Sequence, residues 1–240
     1  MALLSVEDLR VEFGGIVALA DLSFTVDAGQ ICALIGPNGA GKTTLFNCVS
    51  RLYQPGSGSI DFDGHDLLHT PAHRIARLGI ARTFQNLALF PALSVLDNVL
   101  VGGYTHGRVN ATRRAEAHAI LDRLSLDHLA ARPAVGLPYG TLKRIEMARA
   151  LAARPRLLLL DEPAAGLTHS EVDELGELIR SVRDEFDLSV LLVEHHMAMV
   201  MSISEKVVVL DFGSKIAEGP PAEVRENPRV IEAYLGTTVS

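Results

Sequence analysis

Hydrophobic positions change period several times along the 240 residues, and the changes mark out the elements. Residues 4–13 (LSVEDLRVEF) and 21–26 (DLSFTV) alternate apolar with polar, the pattern of half-exposed antiparallel strands. Residues 30–35 (QICALI) are almost wholly apolar, as a strand buried on both faces is. A glycine-rich turn follows, then a helix over about 42–50. SGSIDFDG (57–64) reads as another strand. TPAHRIARLGI (70–80) reads as a helix start with Thr70 as N-cap and Pro71 in the first turn. Residues 94–131 carry helical spacing with little strand signal. The stretch VGLPYGTLKRIEMARAL (135–151) places a helix from about Thr141, with Pro138 and Tyr139 ahead of Gly140.

The second half returns to buried strands. RLLLLDEP (156–163) is one and LSVLLVEH (188–195) another, separated by a helix over about Ser170–Glu185. A short helix, a hairpin in EKVVVLDFGSKIAEG (205–219) and two short helices in PPAEVRENPRVIEAYLG (220–236) complete the chain. Buried strands alternating with helices predict an α/β fold whose parallel strands are joined by crossovers. The helical block at about 86–153 interrupts the sheet and reads as a subdomain.

Composition narrows the class. With 48% hydrophobic residues the chain can bury a sizeable core. A net charge of −7 argues against non-specific nucleic-acid binding, which needs clustered Lys and Arg to neutralise phosphates. The two cysteines, Cys32 and Cys48, lie in apolar surroundings without metal-ligand spacing and read as reduced core residues. MALLSVEDLR has neither the basic region nor the apolar run of a signal peptide. No apolar stretch reaches the ~18 residues of a membrane-spanning helix.

Candidate chemistry converges on three strand ends. GPNGAGKTT (36–44) fits G-x-x-x-x-G-K-[ST] between a buried strand and a helix, the context that motif requires. Its glycines let backbone N–H groups curl around phosphate oxygens. Lys42 is the candidate for the β- and γ-phosphates, Thr43 for a Mg²⁺ ion and Thr44 for the α-phosphate. LLLLDEP ends a buried strand in two carboxylates, Asp161 and Glu162. A buried strand end does not keep paired carboxylates without a partner. With a nucleotide in the loop, Asp161 is placed to hold Mg²⁺ through water and Glu162 to polarise an attacking water. His195 stands at the next buried strand end, within reach of a γ-phosphate. Carboxyl ends of strands are where open α/β sheets bind ligands.

Taken in order, GPNGAGKTT, RTFQN, LPYGTLKR, LLLLDEP, AGLT and VEHH make the chain resemble the nucleotide-binding subunits of ABC transporters over essentially its whole length. The resemblance implies a P-loop NTPase core with a mixed sheet, an N-terminal antiparallel β subdomain and an inserted helical subdomain. Residues 1–85 and 154–240 form the core and 86–153 the helical subdomain, all in one nucleotide-binding domain. It implies an ATPase using ATP and Mg²⁺ that dimerises head to tail with a second ATP-binding subunit, sandwiching two nucleotides. By position, Gly36, Pro37, Asn38, Gly39, Ala40, Gly41, Lys42, Thr43 and Thr44 form the phosphate loop, and Phe13 falls where an aromatic stacks on adenine. Gln85 becomes the loop glutamine that touches Mg²⁺ and faces the membrane partner. Asp161 becomes the metal-side aspartate, Glu162 the base and His195 the switch histidine. Pro138, Tyr139, Gly140 and Thr141 fall on the signature loop, which reads the partner's γ-phosphate.

Longer stretches, among them IARTFQNLALFPALSVLDNVLVG and VVVLDFGSKIAEGPPAEVRENPRVIEAYLG, are similar to the ATP-binding subunits of branched-chain amino-acid importers. That likeness implies permease subunits, indirectly a solute-binding protein, and a peripheral place on the cytoplasmic face of the inner membrane. Related systems import amides or urea. Departures from the group are a short 102–115 region, His196 in place of an acidic residue, and Pro138, Tyr139 and Thr141 in place of serine, glycine and glutamine. DNA-repair and chromosome-organising ATPases carry long coiled coils between the two phosphate motifs, which residues 45–160 do not hold. The altered signature loop invites a reading as a non-hydrolysing ATP-binding regulatory subunit, against which Lys42, Asp161, Glu162 and His195 are all present. P-loop kinases and GTPases explain neither RTFQN nor LPYG.

Overall fold

A computed structural model describes residues 2–85 and 87–235, with the side chains of His106 and Leu235 excepted. Asn86, the last residue of RTFQN, and Gly236, the last of the tail stretch, lie outside the described residues. The strands form two sheets. β1 (Ala2–Phe13) and β2 (Ile16–Asp27) pair antiparallel, with Val6 opposite Phe24 and Phe13 opposite Ile16. After β3 (Ile31–Ile35) and α1 (Lys42–Val49), β4 (Ser57–Phe62) adds to the other edge of β1, and β5 (His65–Asp66) follows it. This sheet has the order β2-β1-β4-β5.

α2 (Ala72–Leu78) leads to β6 (Ile80–Arg82), a three-residue strand too short to register as a period in the sequence. The helical block holds α3 (Val95–Gly102), α4 (Ala111–Arg123) and α5 (Tyr139–Leu151). The chain then alternates through β7 (Leu157–Asp161), α6 (His169–Glu185), β8 (Ser189–Val193) and α7 (Met197–Ile203). It closes with β9 (Lys206–Asp211), β10 (Ser214–Gly219), α8 (Pro221–Glu226) and α9 (Pro228–Leu235). The second sheet has the order β10-β9-β3-β8-β7-β6. Its strands are parallel except β10, which returns antiparallel on β9, so the sheet is mixed as expected.

Period two divides the core. Leu157 and Leu159 face the sandwich between the two sheets, while Leu158 and Leu160 face the helical block. A strand buried on both faces has no polar position to spare, which is why β3, β7 and β8 read as continuous apolar runs. Cys32 and Cys48 are free thiols in the inter-sheet core, and burial pushes them up to about 12 and about 11.

Two helix starts differ from the sequence reading. Thr70 does not cap α2: its hydroxyl donates to the Asp66 carbonyl, and Pro71, with φ −60° and ψ 138°, is the N-cap residue. α5 begins at Tyr139, not Thr141, with Pro138 as its N-cap. Pro138 is extended (ψ 148°) and hands directly into helical geometry, so the turn completes two residues early. Among the described residues no helix is long and apolar enough to cross a membrane.

Candidate functional site

β3 runs straight into the glycine-rich loop. At Gly36, with φ 151°, a Cβ would stand 2.1 Å from the Leu210 carbonyl oxygen of neighbouring β9. At Gly41, with φ 99°, it would stand 2.5 Å from the Ala18 carbonyl oxygen. Only glycine fits at either place, and Gly41 is also the N-cap of α1. Backbone N–H groups of the loop and the first turn of α1 thus converge on one concavity, an anion-binding arrangement.

Lys42 lies back across this loop, its Nζ donating to the carbonyls of Gly36 at 2.7 Å and Pro37 at 2.9 Å. Burial lowers its pKa, opposed by the charges of Glu162 and Asp161. Thr43 is exposed at the start of α1, with Thr44 beside it half-buried.

Three sequence-separated side chains meet at the mouth. Glu162 follows β7 at φ 48°, a left-handed conformation that is costly for a residue with a Cβ. Its N–H still bonds the Val193 carbonyl at 2.9 Å, so the strand register fixes where the carboxylate emerges. Gln85 Nε2 donates to Glu162 Oε2 at 2.8 Å, and His195 Nε2 lies 3.6 Å from the same oxygen. Gly36, Pro37, Asn38, Gln85, Glu162, His195 and Tyr234 line one cavity of about 560 Å³. A larger cleft of about 660 Å³, between α4 and the C-terminal end of α5, has neither a glycine-rich loop nor a strand-end carboxylate pair.

The signature stretch stands apart from this cavity. Pro138, Gly140 and Thr141 line a second cleft with Leu167 and Glu171. Tyr139 lies on Gly166, where a Cβ would come 3.2 Å from its ring, and Lys143 Nζ is 5.6 Å from the ring centroid. Phe13 also lies outside the cavity lining, half-exposed at the end of β1. Its ring meets Tyr53 edge to face, with centroids 5.2 Å apart.

Sequence reasoning assigned no role to three residues here. Arg82 Nη2 donates to Asp161 Oδ2 at 2.8 Å, both side chains being nearly buried. Glu194, fully buried, accepts N–H groups from Ala164 at 2.7 Å, His195 at 2.9 Å and His196 at 3.2 Å. It joins the segment after β7 to the one after β8. Tyr234 of α9 reaches the phosphate loop: burial pushes its hydroxyl up to about 12, against a hydrogen bond with the Gly36 backbone. The signal for Arg82 was the buried aspartate's need for a partner; VEHH held Glu194 in plain view, but a lone glutamate has no spacing to read.

The donors suit a magnesium–nucleotide complex. Thr43, Gln85 and Asp161 carry hard oxygen donors of the kind magnesium takes, and among the described residues no cluster of His, Cys, Asp or Glu could cage a metal alone. Magnesium is usually held this way, by one or two protein oxygens together with substrate phosphates.

Comparison with known proteins shows the family. Residues 19–165 match the ABC transporter family model, and residues 214–240 match that of the branched-chain amino acid ATP-binding cassette transporter. The chain is 44% identical to the high-affinity branched-chain amino acid transport ATP-binding protein BraF of Pseudomonas aeruginosa, over 98% of each chain. Against LivG of Escherichia coli, a protein of the same description, identity is 41% over 98% of each. A solved ATP-binding cassette of an ABC transporter in its ADP conformation superposes with a TM-score of 0.91 at 29% identity, covering 98% of this chain and 99% of the other. The chain belongs to the ABC transporter family, in the group of branched-chain amino acid ATP-binding cassettes.

Proposed function

We propose that the chain binds Mg-ATP and hydrolyses it to drive import of branched-chain amino acids through a membrane transporter. The observation that carries this is the meeting of Gln85, Glu162 and His195 over the loop that begins at Gly36. Phe13 stacks on adenine. Gly36, Pro37, Asn38, Gly39, Ala40 and Gly41 cradle the phosphates, Lys42 leaves its carbonyls for the β- and γ-phosphates, and Thr44 touches the α-phosphate. Thr43, Gln85 and Asp161 would hold a magnesium ion, which would neutralise charge on the phosphate oxygens.

Glu162 takes a proton from water as the water oxygen bonds to the γ-phosphorus; the bond from that phosphorus to the β-phosphate oxygen breaks, giving ADP and inorganic phosphate. Gln85 and His195 orient the base and the γ-phosphate. Pro138, Tyr139, Gly140 and Thr141 complete the site of a second ATP-binding subunit, head to tail. The helical block at 86–153 acts as a subdomain beside the core of 1–85 and 154–240. The partners are permease subunits and, through them, a solute-binding protein, with this chain peripheral on the cytoplasmic face of the membrane.

The test is ATP-dependent leucine uptake into vesicles carrying the whole transporter, with Glu162→Gln as the comparison. Uptake and phosphate release should fall together. Uptake that continues with Glu162→Gln, or release without uptake of any branched-chain amino acid, refutes the reading.

A further inference from the structure

Asp161 ends β7 with a carboxylate 5% exposed, and its protein counter-charge is Arg82, 8% exposed. The guanidinium is held through both terminal nitrogens, while its buried Nε has no hydrogen-bond partner. Nη2 bonds Asp161 Oδ2 at 2.8 Å, while Nη1 donates to Asn47 Oδ1 at 2.8 Å and Ser50 Oγ at 3.2 Å. Its central carbon stands 5.4 Å from the Phe46 ring centroid and 5.0 Å from that of Phe84. One side chain therefore ties β6, α1 and the end of β7. Lys42 is bonded instead to the carbonyls of Gly36 and Pro37.

We propose that Arg82 is a positioning residue: a resident counter-charge that holds the Asp161 carboxylate in place while no metal is bound, and thereby sets the metal affinity of the site. This rests on the reading of Asp161 as the metal-side carboxylate. The effect has a definite sign. A buried carboxylate stripped of its partner is strongly destabilising. A guanidinium and a divalent cation that share one carboxylate also repel each other. Arg82 therefore stabilises the metal-free protein and weakens metal binding. Stacking between two rings and the planar fork hold the charge in place, which a lysine does not reproduce. Phe84 directly precedes Gln85, so the same clamp fixes the segment that reaches Glu162.

The experiment uses the full chain with Arg82→Gln, Asp161→Asn and the double variant. Two quantities are read: the thermal midpoint without metal or nucleotide, and the affinity of Mn²⁺ for the ADP-bound protein by electron paramagnetic resonance. Arg82→Gln should lower the metal-free midpoint by roughly 6 °C or more. Mn²⁺ should bind it roughly three- to tenfold more tightly, which a purely structural role would not produce. In the double variant much of the lost midpoint should return, because neither charge is left unpaired. That cycle still decides the matter if Arg82→Gln folds poorly. Unchanged or weaker Mn²⁺ binding in Arg82→Gln, or additive losses in the double variant, overturns the role of Arg82. Asp161→Asn that binds Mn²⁺ as the unaltered protein does overturns instead the reading of Asp161 on which it rests.

Discussion

Gln85 and Glu162, 77 positions apart, are joined by a hydrogen bond of 2.8 Å from the amide nitrogen to the carboxylate. The bond occupies Oε2, the same oxygen His195 approaches at 3.6 Å. If Glu162 is the base, as proposed, these two neighbours orient it before any water reaches it. Glu162→Gln keeps the shape and removes the basicity. ATP hydrolysis should fall roughly 100-fold or more, while nucleotide affinity stays within about threefold of the unaltered protein. Phosphate release and a binding titration check both; release at the original rate would remove Glu162 from the role of base.

Lys42 gives the next prediction. On the proposed reading its ammonium exchanges two loop carbonyls for phosphate oxygens, so Lys42→Ala loses a charge-assisted contact and leaves the Gly36 and Pro37 carbonyls without that donor. One such contact is worth about 1.5–3 kcal/mol. Calorimetric titration with Mg-ATP should show affinity reduced at least about tenfold. Equal affinity would mean that the loop does not hold the phosphates.

Much of this was legible beforehand. β3, β7 and β8 carry apolar runs because both faces are buried, and the glycines of the phosphate loop announce a backbone that no other residue allows at Gly36 and Gly41. Arg82 was not legible, because its partner lies 79 residues away and the aspartate's need for a cation was met on paper by metal. The sequence places the start of α5 two residues too late. Proline and tyrosine are poor helix signals, yet Tyr139 is held by packing on Gly166, a tertiary contact that outweighs propensity.

Glu194 should matter for stability as well as turnover. It accepts three backbone N–H groups with no exposure to water that would replace it. Glu194→Ala should lose about 2 kcal/mol or more in urea unfolding, and hydrolysis should drop with it because the His195 backbone is released. Glu194→Gln, which retains a carbonyl acceptor, should lose less. A loss below about 0.5 kcal/mol for alanine would show that water takes over these bonds.

Glu146 supplies a pH test. Burial raises its carboxyl above the usual range, against the Phe84 N–H, Lys143 and Arg149, which lower it. The folded protein therefore holds that proton more tightly than the unfolded chain. The stabilising contribution is fully present below the unfolded value of about 4.3 and is lost as pH rises through the folded value. Glu146→Gln stays neutral throughout and keeps an acceptor for Phe84. Its urea midpoint should match the unaltered protein near pH 4.5 and exceed it at pH 7.5. A variant less stable at pH 7.5 would mean that Arg149, 3.5 Å away, outweighs burial.

The signature stretch gives the last prediction. Pro138 caps α5 without a side-chain hydrogen bond, and its carbonyl accepts the first helical N–H, from Leu142 at 3.0 Å. The N–H groups of Tyr139, Gly140 and Thr141 precede that bond, where a helix favours an anion. Pro138→Ser restores a backbone N–H and adds a hydroxyl at the same position. Within one subunit the hydroxyl acts as an ordinary N-cap and should raise stability by about 0.5–2 kcal/mol. If the stretch also reads the γ-phosphate held by a partner, ATP-dependent dimerisation in the Glu162→Gln background should tighten roughly ten- to a hundredfold. Gly140→Asp is a less clean converse, since a Cβ there would stand 3.1 Å from Glu171 Oε1 and bring two carboxylates together within one subunit. Sedimentation in ATP measures the dimer constant, and unfolding of the nucleotide-free protein measures the cap. A gain in stability with an unchanged dimer constant would make these residues a helix start and nothing more.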